Sequence, residues 1–194
     1  MKTLKKFAYV YGLLMLVVIT TVGVTYAAFT DKASVLGATF SAGSADIKLL
    51  LDITKGVETS NLAEDLQGPT FSGIGPNWSA DYLMKVYNNA SSTLLLSSAA
   101  NYETATDPDE LRSYIYVEPF VWNDNGNGLL DAGELGQSYG KKTIVKWKTE
   151  GLSLGQAATG EVKALVLRFS TDTLPDTKQG KSGVFDFVFS SAGL

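Results

Sequence analysis

The chain has no cysteine and no histidine among its 194 residues. Without cysteine it has no disulfide bond, no thiolate metal ligand and no thiol nucleophile. Without histidine it lacks the usual acid–base group at neutral pH and the commonest zinc ligand, so we expect no zinc site and no Ser–His dyad. Nothing else in the sequence marks a catalytic site. We therefore expect a protein that is not an enzyme and that has no small-molecule substrate.

Dense basic clusters are also missing. The chain carries 16 Lys and Arg residues against 20 Asp and Glu residues, which gives a formal net charge of −4. Proteins that bind nucleic acids neutralise phosphates with clustered Lys and Arg side chains. No nucleic-acid partner is therefore expected.

A long apolar run occurs at the N-terminus. Three lysines within the first six residues precede 18 uncharged residues at positions 7–24. The tripeptide 25–27 then offers small residues at its ends, so cleavage is expected between Ala27 and Ala28, and residues 1–27 are predicted to be a secretory signal peptide. An uncleaved membrane anchor is the alternative, because such a run can just span a bilayer. Cleavage would remove three Lys and no acid, changing the formal charge from −4 to −7.

The remaining chain, from residue 37 to 194, is predicted to be a single all-β domain. Residues 45–53 alternate between apolar and mostly polar side chains, which is the period of a half-buried strand. Similar runs occupy 82–87, 93–99, 114–122, 143–147, 162–169 and 184–189. Seven such segments, separated by Gly-, Asn-, Asp- and Ser-rich stretches, favour a sandwich of two antiparallel sheets. Short helices are also expected near 61–64 and 107–110, where capping residues occur.

Residues 123–134, with the sequence NDNGNGLLDAGE, have the spacing of a twelve-residue calcium-binding loop. Gly128 lies at the sixth position, where such a loop turns sharply. The expected ligands are Asn123, Asn125, Asn127, the backbone carbonyl of Leu129, Asp131 and Glu134. Few of these ligands are charged, so we expect a weak structural calcium site with a dissociation constant of about 10⁻⁴–10⁻³ M. A plain Asn-Gly hairpin turn is the alternative.

The start of the mature chain resembles the TasA and camelysin family of biofilm-matrix fibre proteins. In that family the leader ends with an aromatic residue and Ala, followed by Ala-Phe, a polar residue and Asp. A spacer then leads to Ala-Thr-Phe, a small pair with Gly, and an alternating strand. The matching stretches here are Tyr26, Ala27, Ala28, Phe29, Thr30 and Asp31, then Ala38, Thr39, Phe40, Ser41, Ala42 and Gly43, then residues 46–51. Segments 81–93 and 107–116 and the Phe-rich last strand also fit, whereas loop 123–134 departs from the family pattern.

The resemblance implies a jelly-roll sandwich that is secreted, released by a dedicated signal peptidase and assembled into extracellular fibres. Such pilus-like fibres belong to a biofilm matrix or a cell surface, and their subunits bind copies of themselves. An anchor or tip protein stays open as a further partner. Some family members carry a metallo-endopeptidase label, but a chain without histidine is not expected to be a zinc peptidase.

The resemblance also implies that the freed N-terminal segment of one subunit completes a sheet in the next, so residues 28–36 form a candidate donor strand. An extended segment can pair with the exposed edge of a sheet. The donor-strand residues are Ala28, Phe29, Asp31, Ala33 and Val35. Burial of Phe29 and Val35 would contribute roughly 3–6 kcal/mol before ordering costs. For the segment, the alternatives are that it folds back onto its own sheet or stays disordered. For the chain, the alternative is a monomeric calcium-stabilised surface module.

Overall fold

A computed structural model describes residues 35–43 and 46–193 of the chain. The predicted signal peptide, its cleavage site and donor-strand residues 28–34 lie outside the described residues, so they stay predictions. Over the part that is described, no helix is both long and apolar enough to cross a membrane.

The described residues form twelve strands and one α-helix, in an order dominated by β structure. The strands are β1 (Val35–Ala42), β2 (Ile47–Leu50), β3 (Leu62–Ala63), β4 (Asp65–Phe71), β5 (Ser79–Asn88), β6 (Leu94–Asn101), β7 (Tyr116–Trp122), β8 (Leu135–Ser138), β9 (Lys142–Thr143), β10 (Leu152–Ala157), β11 (Val162–Ser170) and β12 (Ser182–Gly193). The helix, α1, spans Ile144–Glu150. Short 3₁₀ turns occupy Thr59–Asn61, Leu111–Ser113 and Asp176–Lys178.

The strands form two sheets that pack face to face, which confirms the prediction of an all-β sandwich. One sheet has the order β10-β6-β12-β1-β4, and the other has the order β3-β2-β5-β11-β7-β8, with β9 also paired to β7. Neighbouring strands are antiparallel apart from β1 and β12, which run parallel. The fold therefore places the two ends of the described chain side by side in one sheet.

The last strand supplies much of the core, as its alternation predicts. Phe185, Phe187 and Phe189 are fully buried, and Asp186 between them faces outward. Phe187 packs against Phe40 of β1 at 5.6 Å between ring centroids and lies near other core aromatic rings. Each such ring removes a large apolar area from water, so the core depends on the pairing of β12 with β1.

Residues 143–147 form a helix start rather than the predicted strand. Thr143 caps α1 by accepting a hydrogen bond from the backbone N–H of Lys146, and Gly151 ends the helix with φ of 62°. Ile144 and Trp147 are both buried on one face of the helix. In a run of five residues, apolar side chains two and three positions apart fit a strand and a helix equally well. Here the capping Thr143 and the terminating Gly151 favour the helix.

The two predicted helices, near 61–64 and 107–110, are not α-helices. Residues 62–63 form β3, and the preceding turn is 3₁₀. At 107–110, Asp107 does accept a hydrogen bond from the N–H of Leu111, but the turn that follows is a single 3₁₀ turn. Glu110 has a left-handed backbone with φ of 58°, which prevents an α-helix from starting there.

The sandwich begins earlier than the predicted boundary at Gly37. Val35 and Leu36 belong to β1, where they pair with Ser182 and Gly183 of β12. Leu36 is fully buried in the main core. Two residues of the candidate donor segment, Val35 and Leu36, therefore belong to β1, and residues 28–34 lie outside the described residues.

Candidate calcium-binding loop

Loop 123–134 is the connection of the β7–β8 hairpin. It starts directly after Trp122 and ends directly before Leu135, and these two residues face each other in the antiparallel pair. The N–H of Asn123 donates to the carbonyl oxygen of Glu134 at 2.8 Å, so the first and last positions of the loop are joined. The predicted strand 114–122 leads into the loop as β7, whereas β8, the strand that follows the loop, was not predicted.

Glycines give the loop its tight path. Gly126, Gly128 and Gly133 have φ values of 92°, 74° and 92°, a region that side chains disfavour. Gly128 also lies close to a neighbouring loop, since a Cβ atom there would come within 2.4 Å of Thr54 Cγ2. The sharp turn expected at position 6 is therefore present, and the space around it requires glycine.

Glu134, the last expected ligand, carries a buried carboxylate. Its Oε2 accepts hydrogen bonds from Trp122 Nε1 at 3.2 Å and from the N–H of Asp131 at 2.9 Å. Its Oε1 accepts from the N–H of Asn125 at 3.0 Å. Among the described residues no Lys or Arg forms an ion pair with this carboxylate. Burial of a charge without a counter-ion is costly, and a bound cation would offset that cost.

Asp131, at position 9 of the loop, accepts hydrogen bonds from the side chains of Asn125 and Asn127. Its Oδ2 accepts hydrogen bonds from Asn125 Nδ2 at 3.1 Å and from Asn127 Nδ2 at 2.7 Å. The Oδ1 atoms of the same asparagines accept from the N–H groups of Asn127 and Leu129. An amide oxygen has two lone pairs, so each of these oxygens keeps one for a further partner.

Side-chain hydrogen bonds thus join three of the six predicted ligands, Asn125, Asn127 and Asp131, and the Glu134 carboxylate accepts from the backbone N–H groups of two of them. Asn123 joins the group through its backbone bond to Glu134, and Leu129 through its N–H. No group of three or more acidic side chains gathers anywhere in 35–43 or 46–193. The donor set is therefore two carboxylates with neutral amide and carbonyl oxygens, and oxygens of these kinds are the ligands that calcium prefers.

Asp124 lies within the loop but turns away from this group. Its Oδ2 is 2.5 Å from Lys85 Nζ, and the side chains of Lys85 and Asp124 are only 12% and 8% exposed. The same amine donates to the carbonyl oxygen of Ile53 at 2.6 Å and lies 5.3 Å from the centroid of the Trp122 ring. Lys85 on β5 therefore ties loop 123–134 to the loop that follows β2.

The electrostatics of Asp124 reflect this pairing. Burial raises the pKa of the carboxyl, but hydrogen bonds from Lys85 and from the N–H of Gly126, together with the charge of Lys85, outweigh burial. The net pKa of Asp124 lies below its ordinary value, so the carboxylate is charged at neutral pH and its partner is a lysine. Asp124 therefore holds the loop in place through its ion pair with Lys85 and is not counted among the calcium ligands.

The arrangement suits calcium as a structural ion. Glu134 uses three hydrogen bonds of the roughly four that a carboxylate can accept. Asp131 is exposed to solvent and can exchange the two amide donors for an ion. We therefore keep the prediction of a weak calcium site with Asp131 and Glu134 as its charged ligands.

Calcium is expected to raise the stability of the protein. With a dissociation constant of about 0.1–1 mM, about 10 mM calcium adds roughly 1.4–2.7 kcal/mol to the free energy of unfolding. Thermal unfolding followed by circular dichroism measures this as an upward shift in Tm. Asp131→Asn is expected to lose most of the shift while unfolding normally without calcium, because this side chain is exposed.

Asp176→Asn serves as the matched control, since it removes one exposed carboxylate from a distant turn. It is expected to keep the full calcium shift. The same concentration of magnesium controls for ionic strength. An equal shift in wild type and Asp131→Asn, or no shift at all in wild type, would indicate a plain hairpin turn.

The chain matches no protein-family model and no curated protein. Its resemblance to the TasA and camelysin family therefore stays a prediction that depends on the motifs quoted above.

Proposed function

We propose that this chain is a secreted structural subunit that polymerises head to tail into extracellular fibres, in the manner of the TasA and camelysin proteins it resembles. The N-terminal segment freed by signal peptidase would pair with a sheet of the next copy. Calcium in loop 123–134 would stabilise each subunit. No catalytic step is part of this proposal, and its partners are copies of the same chain.

The observation that supports the proposal most is that β1, the strand that follows the predicted donor segment, lies in a sheet whose terminal strand β4 has one side unpaired among the described residues. β1 starts at Val35, and cleavage is predicted after Ala27. Residues 28–34 then precede a sandwich whose sheets end in strands with free edges. A free edge offers unpaired N–H and C=O groups, and an extended segment of another copy can satisfy them. Because the contact joins two different surfaces, it can repeat without closing into a ring.

Calcium would replace the cross-links that the chain lacks. Secreted proteins are often stabilised by disulfides, which a chain without cysteine cannot form. Loop 123–134 closes the β7–β8 hairpin, and Lys85 fastens it to a second loop over the outer face of the sheet. An ion in this loop would therefore stabilise the hairpin, which Lys85 already connects to a part of the chain that is distant in sequence.

Light scattering distinguishes the proposal from a monomeric surface module. Protein that begins at Ala28 is expected to show scattering that rises steeply with concentration, whereas protein that begins at Val35 stays monomeric. The second protein keeps the whole of β1, so a difference between the two reflects residues 28–34. Monomers of both proteins at every concentration, with and without calcium, would instead favour a monomeric calcium-stabilised module.

A further inference from the structure

The two sheets end in edges of very different length. In the second sheet the terminal strands β3 and β8 have two and four residues. In the first sheet the terminal strands are β10, with six residues, and β4, with seven. Only the longer edges offer a ladder of hydrogen bonds long enough to hold an extended segment.

The edge at β10 is closed by lysine. Lys163 Nζ donates to the carbonyl oxygens of Leu154 and Gln156, both at 2.8 Å, and these two residues lie two apart on the strand. The strand also has a register shift next to Gly155, whose φ is 75°. Lysine side chains and bulges are devices that keep an edge strand from pairing. An incoming strand would have to displace Lys163 before it could reach those carbonyl oxygens.

The edge at β4 differs in that no lysine side chain of the described residues is bonded across it. β4 pairs with β1 on one side, and on its other side the described residues make no hydrogen bond to its backbone. Like β10 it has a register shift, at Gly68 and Pro69 opposite β1 residues 37–39, and Pro69 has no N–H to donate. Asp65–Phe71 is the longest of the terminal strands, and its open ladder is interrupted at this one place.

The core is also incompletely covered beside β4. Leu66, Phe71 and Trp78 pack against the core but are only partly buried. Phe71 contacts Trp78 and the buried Phe169, with centroids 5.2 and 5.1 Å apart. Aromatic side chains at this edge would bury further apolar area if another strand lay beside β4.

We propose that the edge of β4 is the surface that receives residues 28–34 of a second copy. This inference deepens the proposed function and rests on it. The segment has seven residues, AFTDKAS, and β4 has seven, so one extended segment matches the open ladder in length. With Phe29 and Ala33 facing Leu66 and Phe71, the segment would cover apolar surface that the single subunit leaves partly exposed. β10 is excluded as the receiver because Lys163 already satisfies its carbonyl oxygens.

Introduced cysteines test the assignment cleanly, because the natural chain contains none. Thr30→Cys or Lys32→Cys in the segment is combined with Gln67→Cys, an exposed residue of β4. The comparison protein combines the same segment cysteine with Ser153→Cys, an exposed residue of β10. Two segment positions are used so that a shift of register does not hide a contact. Each protein is assembled, oxidised and separated on a non-reducing gel.

The proposal predicts that filaments with Gln67→Cys lose most of the monomer band to a ladder of disulfide-linked oligomers, whereas filaments with Ser153→Cys do not. Filaments that cross-link only through Ser153→Cys, or through neither position, would overturn the β4 assignment and leave the fibre function intact. A monomer that migrates faster after oxidation would mean that the segment pairs within its own chain. Failure of the cysteine-free protein to form filaments would overturn the proposed function itself.

Discussion

Replacing Lys85 with methionine is expected to lower the free energy of unfolding by about 3–5 kcal/mol at neutral pH. Methionine keeps an apolar stem of similar length but removes the only cation that is paired with Asp124 among the described residues. The carboxylate is 8% exposed, so it would be left as a buried charge without a counter-ion. Urea unfolding in the presence of a chelator measures the loss without interference from calcium.

Lys141→Met is the matched control for this variant. Lys141 pairs with Asp172 at 2.7 Å, but the two side chains are 36% and 57% exposed. Water screens such a pair, so its loss should cost about 0–1 kcal/mol. Equal effects of the two substitutions would contradict the view that Lys85 and Asp124 form a buried structural pair.

The loss in Lys85→Met should depend on pH with a definite sign. In wild type the pKa of Asp124 is lowered, so its stabilising contribution is complete above the ordinary aspartate pKa of about 3.9 and is lost as the pH falls below that value. In the variant, burial acts without Lys85 and favours the neutral carboxyl, so lowering the pH restores stability. The stability difference between the two proteins should therefore shrink from pH 7 to pH 3. A difference that stays constant over this range would rule out Asp124 as the affected group.

Leu36→Ala is expected to destabilise the isolated domain by about 2–5 kcal/mol, because Leu36 is fully buried in the core. The measurement uses protein that begins at Val35, so that assembly makes no contribution. Val184→Ala is the control, since Val184 is 45% exposed on the neighbouring strand and should change stability by less than about 0.5 kcal/mol. If Leu36→Ala left the unfolding of this monomer unchanged, Leu36 would belong to a donor segment and not to the domain.

Alternation identified the strands that are half-buried over their whole length. The run ending in Phe185, Phe187 and Phe189 has one apolar face, and the structure buries that face. The sequence of β4, DLQGPTF, does not predict a strand, because it has a Gly-Pro pair in the middle and mixed polarity. The register shift at Gly68 and Pro69 displaces the alternation by one residue, so the strand does not show a period of two over its whole length.

The geometry of loop 123–134 was predictable as far as its contacts are local. Its glycine turns and the hydrogen bonds among Asn125, Asn127, Asp131 and Glu134 all lie within ten residues of each other. The pair of Lys85 with Asp124 spans 39 residues, and its geometry depends on how β5 and β7 are placed by the strand between them. No spacing rule connects those two positions, so only the folded structure reveals them.

The most direct test of the fibre function is negative-stain electron microscopy of protein that begins at Ala28 beside protein that begins at Val35. Starting the shorter protein at Val35 keeps Leu36 and the β1–β12 pairing, so its fold should be intact. We predict long filaments from the first protein and only single particles from the second. Filaments from both would show that residues 28–34 are not the donor, and single particles from both, across calcium concentration and pH, would contradict the assignment of this chain as a fibre subunit.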